Sequence, residues 1–370
     1  MKKKIGILTY HAAHNYGSML QAYALQTYLE HQGFISQIIN LRVKAQKEAY
    51  NNPLGRIGKR TLKRLLFSME TISKEWVKWR KFEQFMHVNL NLSPKEFHEW
   101  REVLEYLYQS DFNAVICGSD QIWNMTCVDF NESYFLPANL NGIKKIAYAP
   151  SFGGFIERFQ DEISASFIRK NTLLFDFLSV REKSGADYLS SLVGNNVPVV
   201  PDPTLLLCTS DYESLLSDKP IIQGEYVLYY TPWHVERAEN IALQIGESYG
   251  YQVVTTNGTA QTNKSILQKN TIGPAEFLNA IKYAKVVCGL SFHLAVFSLL
   301  FEKEFYSIDG DRDNRLLTLL SSLNLTKRAI PLDKIFRKVE DVIEYDSVRN
   351  RISMLRQVGI DFLNKSLKEI

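Results

Sequence analysis

The chain has 370 residues, 45% of them apolar and 22% charged, which gives it enough apolar material for about two globular domains and none of the bias of a disordered chain. A formal net charge of +3 is too small to indicate a nucleic-acid partner, and no window approaches the ~20 consecutive apolar residues that span a bilayer. Cys117, Cys127, Cys208 and Cys288 lack CxxC spacing, and two of them sit in apolar strand-like runs, so buried reduced thiols in a cytoplasmic protein fit better than disulfides or a zinc site.

Taken in chain order, the predicted elements alternate. The start is basic, but its apolar run is broken by His11 and His14 and does not read as a signal peptide. "KIGILTY" is a short strand, and "SMLQAYALQTYLEHQG" follows with Met19, Leu20, Tyr23, Ala24 and Tyr28 at helical spacing, ending at Gly33. "ISQIINL" closes the first βαβ unit. From Arg56 to Lys81, nine Lys or Arg stand against Glu70 and Glu75, interleaved with Leu62, Leu65, Leu66, Met69, Trp76 and Trp79. That segment reads either as helices covering a sheet edge or as an amphipathic surface for anionic lipid or an acidic glycan. "NAVICGSD" and "KIAYAP" supply further strands, "DFLSVREKSGADYLSSL" a strand, turn and helix, and "VPVVPDPTLLL" a strand that runs into a crossing stiffened by Pro201 and Pro203.

Beyond those prolines the alternation restarts: "EYVLYYT", the helix ending at Gly250, "YQVVTTNG", "GPAEFLNAIKYA", "KVVCGLS", "HLAVFSLLFE" and "EFYSID". The fold class expected is α/β, with two Rossmann-like domains whose parallel sheets face a cleft. Their bounds are residues 1–203, with a basic helical insertion at about 54–85, and residues 204–345. Residues 346–370 form a helical tail that crosses back onto the first domain.

Ligands of open α/β sheets bind beyond the carboxyl ends of the strands, so the polar residues that follow each strand are the candidates. These are His11, His14, Asn15 and Gly17; Gly118, Ser119, Asp120 and Gln121; Arg181, Glu182, Lys183 and Ser184; and Ser291 and His293. Each has a plainer reading. Asn15 and Gly17 suit a turn and helix cap, Ser119 and Asp120 a cap, His11 packing, Arg181 a structural ion pair, and His293 the core between Phe292 and Leu294. No GxxxxGK[ST], GxGxxG, HExxH, GxSxG or carboxylate cluster occurs, which argues against a P-loop, dinucleotide, metal or esterase site. Residue types alone stop at an anion-binding cleft between two domains.

The ordered set "ILTYHAAHNYGSMLQAYAL", "AVICGSDQIWN", "KIAYAPSFG", "SVREKSG", "VPDPTLLL" and "EFLNAIKYAKVVCGLSFHLAVFS" resembles the polysaccharide pyruvyl transferase family over about residues 4–325. The resemblance implies a glycosyltransferase-B-like fold and transfer of the pyruvyl group of phosphoenolpyruvate onto a sugar as a cyclic ketal, with no cofactor or metal. It implies that His293 and Arg181 bind or activate phosphoenolpyruvate, with Ser291, Lys303 and Arg315 beside them and His293 as the acid. On the acceptor side it places His14, Asn15, Tyr16, Gly17, Gln121 and Trp123, with Tyr10 as a further aromatic face and Asp120 as the base. The acceptor would be a free or lipid-linked saccharide, met at the inner face of the membrane if residues 54–85 dock there. Members commonly continue "SFHG", where this chain has Leu294, so either the backbone there needs no positive φ or the donor pocket is altered. A nucleotide-sugar glycosyltransferase of the same fold and a non-catalytic glycan-binding relative are the alternatives.

Overall fold

The computed structural model describes residues 2–53 and 69–370. The N-terminal unit runs β1 (Lys4–Leu8), α1 (Tyr16–His31), β2 (Ile35–Ile38), α2 (Lys44–Ala49), α3 (Met69–Asn89), α4 (Trp100–Gln109), β3 (Ala114–Cys117), β4 (Lys144–Ala147), α5 (Glu162–Thr172), β5 (Phe177–Leu178) and α6 (Lys183–Val193). The C-terminal unit runs β6 (Tyr226–Tyr230), α7 (Glu236–Tyr249), β7 (Gln252–Thr255), β8 (Leu267–Gln268), α8 (Pro274–Tyr283), β9 (Val286–Gly289), α9 (Phe292–Leu300), β10 (Glu304–Ile308), α10 (Asn314–Ser322) and β11 (Ala329–Ile330), followed by α11 (Tyr345–Lys368).

Both sheets are parallel, ordered β2-β1-β3-β4-β5 and β11-β10-β9-β6-β7-β8. Their inner strands are uninterrupted apolar runs, as strands covered by helices on both faces require: every residue of β3 and β9 is buried. Strand order reverses between β1 and β3 in one sheet and between β6 and β9 in the other. Helices leaving such a pair of strands diverge and open a crevice at their carboxyl ends.

The floor of the space between the sheets is filled by α1. Asn15 caps it by accepting from the N–H groups of Gly17 (2.9 Å) and Ser18 (3.4 Å). Twelve of its residues are buried, all the way round its circumference, because both units pack on it. Leu20 and Leu25 lie against the first sheet, while the Tyr16 ring stacks on Phe277 of α8 with centroids 4.2 Å apart and planes at 6°. One continuous core therefore joins Ile5 and Leu25 to Leu228 and Phe297. Each fully buried side chain of that kind contributes about 1.5–3 kcal/mol, so the units are fused at α1 rather than hinged across an open gap.

A second tie is α3. Its Lys81 pairs with Glu276 at 2.6 Å, and Lys78 donates to Asn257 Oδ1 at 2.9 Å and to the Thr256 carbonyl at 3.3 Å, both in the C-terminal unit. Burial pulls the Lys78 amine down to about 8. The amphipathic surface expected at 54–85 falls partly on residues 54–68, which lie outside the described residues. Along α3, Lys78 and Lys81 face the other unit instead of a lipid surface, and no described helix is long and apolar enough to cross a membrane.

The segment from Val197 to Leu207 is not the strand expected. Only Val199 bridges to Val180, and Pro203–Leu205 form a 3₁₀ turn, because Pro198, Pro201 and Pro203 have no N–H to give a sheet ladder. Across this turn lies α11, whose Arg356 donates to the Leu205 and Leu207 carbonyls at 2.8 and 2.9 Å.

Candidate active site

The centre of the site is Asp202, held in the turn between two prolines. It is 1% exposed and gathers groups from both units. Its Oδ1 accepts from the Thr204 N–H (3.0 Å) and hydroxyl (2.7 Å); its Oδ2 accepts from Ser119 Oγ and Arg181 Nη1, each at 2.7 Å. His293 Nε2 stands 3.4 Å from the same Oδ2, not aligned for a hydrogen bond. Burial alone would push this carboxyl up. The charges of His293 and Arg181 and the bonds it accepts outweigh that and hold it far below the usual carboxylate range.

Arg181 is 3% exposed, and its guanidinium lies over the Phe292 ring at 4.4 Å. One edge of the fork is taken by Asp202. Nε and Nη2, both buried, have no protein partner, and neither does His293 Nε2. Buried donors are nearly always satisfied, so this fork, beside an imidazole nitrogen that makes no hydrogen bond, has the chemistry to take an oxygen-bearing anion. Beside it, burial pushes the Glu182 carboxyl up to about 7 although Arg181 pulls the other way, and its Oε1 accepts from the Phe152 N–H at 2.7 Å. A folded value raised this far above 4.5 means stability is full below that pH and is lost as pH rises through about 7. Glu182→Gln keeps the acceptor and removes the charge. It is expected to stabilise the fold at pH 8 by at least about 1 kcal/mol relative to wild type and to change little at pH 5, read by thermal unfolding at both pH values.

His293 is in the first turn of α9, after Ser291, whose Oγ caps that helix by accepting from the Leu294 N–H at 3.4 Å. Leu294 is helical and buried, so the backbone there needs no positive φ. From the other unit α1 comes against the imidazole at Gly17: a Cβ on Gly17 would lie 2.0 Å from His293 Nδ1. Ala is the better helix former by about 1 kcal/mol, but no atom can occupy that distance, so sterics decide. Gly17→Ala is expected to cost about 1–3 kcal/mol and to displace the ring, seen as a lower melting temperature together with a changed His293 imidazole resonance.

Several residues expected in contact with ligand are elsewhere. Trp123 is fully buried, stacked on Phe135 at 4.8 Å with its indole N–H on the Tyr134 carbonyl, so it offers no face to a sugar. Tyr16 is the pin between the units, its hydroxyl shared by the Thr256 and Ile272 carbonyls; Tyr10 packs edge-on to Tyr134. His14 donates to Glu83, which also takes the fork of Arg42, and burial lowers the imidazole. His11 is bound between Thr9 and Asn40 in the core. Both Asp120 oxygens are engaged, one by the Gln121 N–H at 2.8 Å and one by Ser18 Oγ at 2.5 Å, so this residue, at φ 73°, ties α1 to β3 rather than standing ready as a base. Lys303 lies beside Lys285 and Lys282 at the start of β9 and β10, ~13 Å of helix away from His293, because a parallel crossover carries the chain back to the amino edge of the sheet.

Gln121 and Arg315 do reach the crevice. Arg315 is paired through Nε to Asp313 at 2.9 Å and lines both a cavity of about 190 Å³ beside Arg181 and Asp202 and a larger one of about 360 Å³ that includes Gln121. Asp202 is the residue that reading the sequence missed. It stands between two prolines in what looks like a linker, and the only trace of its role is a carboxylate followed by Pro and Thr, the pattern of a capped turn.

The two parallel-sheet units, with Arg181, Asp202 and His293 gathered where they meet, have a glycosyltransferase-B-like architecture. The model of the polysaccharide pyruvyl transferase family matches residues 15–312, and the chain belongs to that family. No curated protein matches the chain. Among solved structures, it is similar to a protein described as a UDP-N-acetylglucosamine 2-epimerase from Listeria monocytogenes, with a TM-score of 0.51 and 9% identity over 98% of this chain and 90% of that one. It is also similar to the UDP-GlcNAc 2-epimerase of Methanocaldococcus jannaschii (TM-score 0.49, 14% identity, 96% and 100% of the two chains) and to E. coli heptosyltransferase WaaC (0.40, 11%, 95% and 99%).

Proposed function

We propose that the protein transfers the pyruvyl group of phosphoenolpyruvate to two hydroxyls of a saccharide, forming a cyclic ketal and releasing phosphate. The observation that carries this is the fork of Arg181, with Nε and Nη2 buried and unpartnered beside His293 Nε2, in a chain of this family. A carboxylate or phosphate fits such a fork in two parallel bonds, and Lys could not reproduce it.

In this reading Arg181 binds an anionic end of phosphoenolpyruvate and Asp202 fixes the guanidinium and the imidazole in place. His293 delivers a proton to the methylene carbon, which makes the neighbouring carbon oxocarbenium-like. One sugar hydroxyl adds there, phosphate leaves with its bridging oxygen, and the second hydroxyl closes the ring. Of the two hydroxyl protons, one replaces the proton given by His293 and the other leaves with phosphate, so the step balances without oxidant or reductant. Asp202 stands 3.4 Å from the ring nitrogen that would carry the proton, and such general acids contribute about 10²–10⁴-fold. The deciding experiment is thermal-shift titration. Phosphoenolpyruvate is expected to raise the melting temperature and UDP-sugars to leave it unchanged, and the reverse would favour a nucleotide-sugar donor.

A further inference from the structure

The cavity of about 360 Å³ opens where both sheets reverse their strand order, with one wall from each unit. Gln121, after β3, and Phe155 line it on one side; Trp233, after β6, lines it on the other. Trp233 and Phe155 are 61% and 47% exposed, two large rings left in water at the mouth of a crevice. The Arg158 guanidinium lies over the Phe155 ring at 4.8 Å, while Arg312, also on the rim, is paired with Asp309 at 3.8 Å and Asp333 at 4.0 Å.

This wall is prepared rather than loose. Asn124 Nδ2 donates to Gln121 Oε1 at 2.9 Å, and Gly153, at φ +86°, lies so close beneath that a Cβ would come within 2.8 Å of both side chains. Opposite, Asn257 Nδ2 holds the Thr231 and Pro232 carbonyls at 2.9 and 3.1 Å and is itself gripped by Lys78, which fixes the loop that carries Trp233. The volume is in the range of ligand pockets, roughly 300–1,000 Å³, and exceeds what a molecule as small as phosphoenolpyruvate fills. Arg315 connects it to the smaller cavity at Arg181.

We propose that this cavity is the acceptor subsite and that it takes a saccharide bearing an acidic group, phosphate or carboxylate, its ring stacked on Trp233 or Phe155 and its acid on Arg158. A pyranose has an apolar C–H face and a rim of hydroxyls, which matches aromatic rings flanked by the Gln121 and Asn124 amides. The role as acceptor site rests on the pyruvyl-transfer reading; the binding of an acidic saccharide does not.

Saturation-transfer NMR on the full chain tests it with glucose, glucose 1-phosphate, glucuronate and UDP as probes. Transfer to the ring protons of at least one acidic sugar is expected, stronger than to glucose, and comparing the phosphate with the carboxylate tells which acid is preferred. Trp233→Ala should weaken that binding by about tenfold, Trp233→Phe should restore most of it, and Arg158→Ala should reduce an acidic sugar to the level of glucose. His293→Ala should bind the sugars as wild type does. Absence of transfer to any sugar, or UDP receiving saturation and displacing the sugars, overturns the proposal. Sugar binding as described without turnover of phosphoenolpyruvate on any acceptor upholds the subsite and removes the pyruvyl-transfer reading instead.

Discussion

His293→Ala is expected to lower kcat by about 10²–10⁴-fold with phosphoenolpyruvate as donor while its KM changes by less than about threefold. The asymmetry follows from geometry. The imidazole is at the start of α9 with no hydrogen bond at Nε2, whereas the fork proposed to bind the anion belongs to Arg181 and does not depend on the ring. The ring is also 6% exposed and packs against Gly17 and Phe292, so truncation leaves a small cavity and some loss of stability. Circular dichroism at the assay temperature separates that loss from lost chemistry. A variant that remains folded and keeps most of its turnover would remove His293 from the proton-transfer role.

Asp202→Asn is expected to do broader damage. It removes the charge that pairs Arg181 at 2.7 Å in a fully buried setting, and breaking such a pair costs about 3–5 kcal/mol because the guanidinium is left uncompensated. Asn keeps an oxygen for Thr204 but cannot balance Arg181 and His293 together, so KM for phosphoenolpyruvate should rise and kcat fall in the same variant. Since the Asp202 carboxyl is held far below its usual range in the fold, its contribution is present at neutral pH and lost as pH falls below the usual carboxylate range. The acid limb of the stability profile should accordingly be shallower in the variant. Chemical denaturation at pH 7 and about pH 2, the second well below the usual carboxylate range, measures both effects, and equal loss at the two pH values would mean Asp202 acts as a packing residue only.

Much of the architecture is legible in the sequence because parallel strands buried on both faces read as short unbroken apolar runs, as in "AVIC" and "KVVCG", and because helices between them end at glycines such as Gly250. Ser119, Arg181 and His293, each picked out as a polar residue that follows a strand, stand together around one carboxylate. The carboxylate itself stayed hidden because Asp202 follows no strand. Its place is set by two prolines and a 3₁₀ turn, and Ser119, Arg181 and His293, which surround it, are distant in sequence. The aromatic residues were misplaced for a related reason. Tyr16 and Trp123 follow strands as a sugar platform would, but α1 is buried along most of its length and packs in the core, which consumes Tyr16, while Trp123 stacks on Phe135 in the core. Phe155 and Trp233, in irregular segments without periodicity, remain in solvent at the crevice.

Direct measurement of the reaction tests the central claim. Wild-type protein incubated in D₂O with phosphoenolpyruvate and a panel of free and lipid-linked oligosaccharides, read by phosphate release and by mass spectrometry of the glycan, should yield phosphate and pyruvyl ketal in equal amounts. One deuterium should appear in the ketal methyl group, delivered in the step assigned to His293. Phosphoenolpyruvate recovered unchanged across the panel, with a glycosyl mass gain when nucleotide-sugars are supplied instead, would contradict the account.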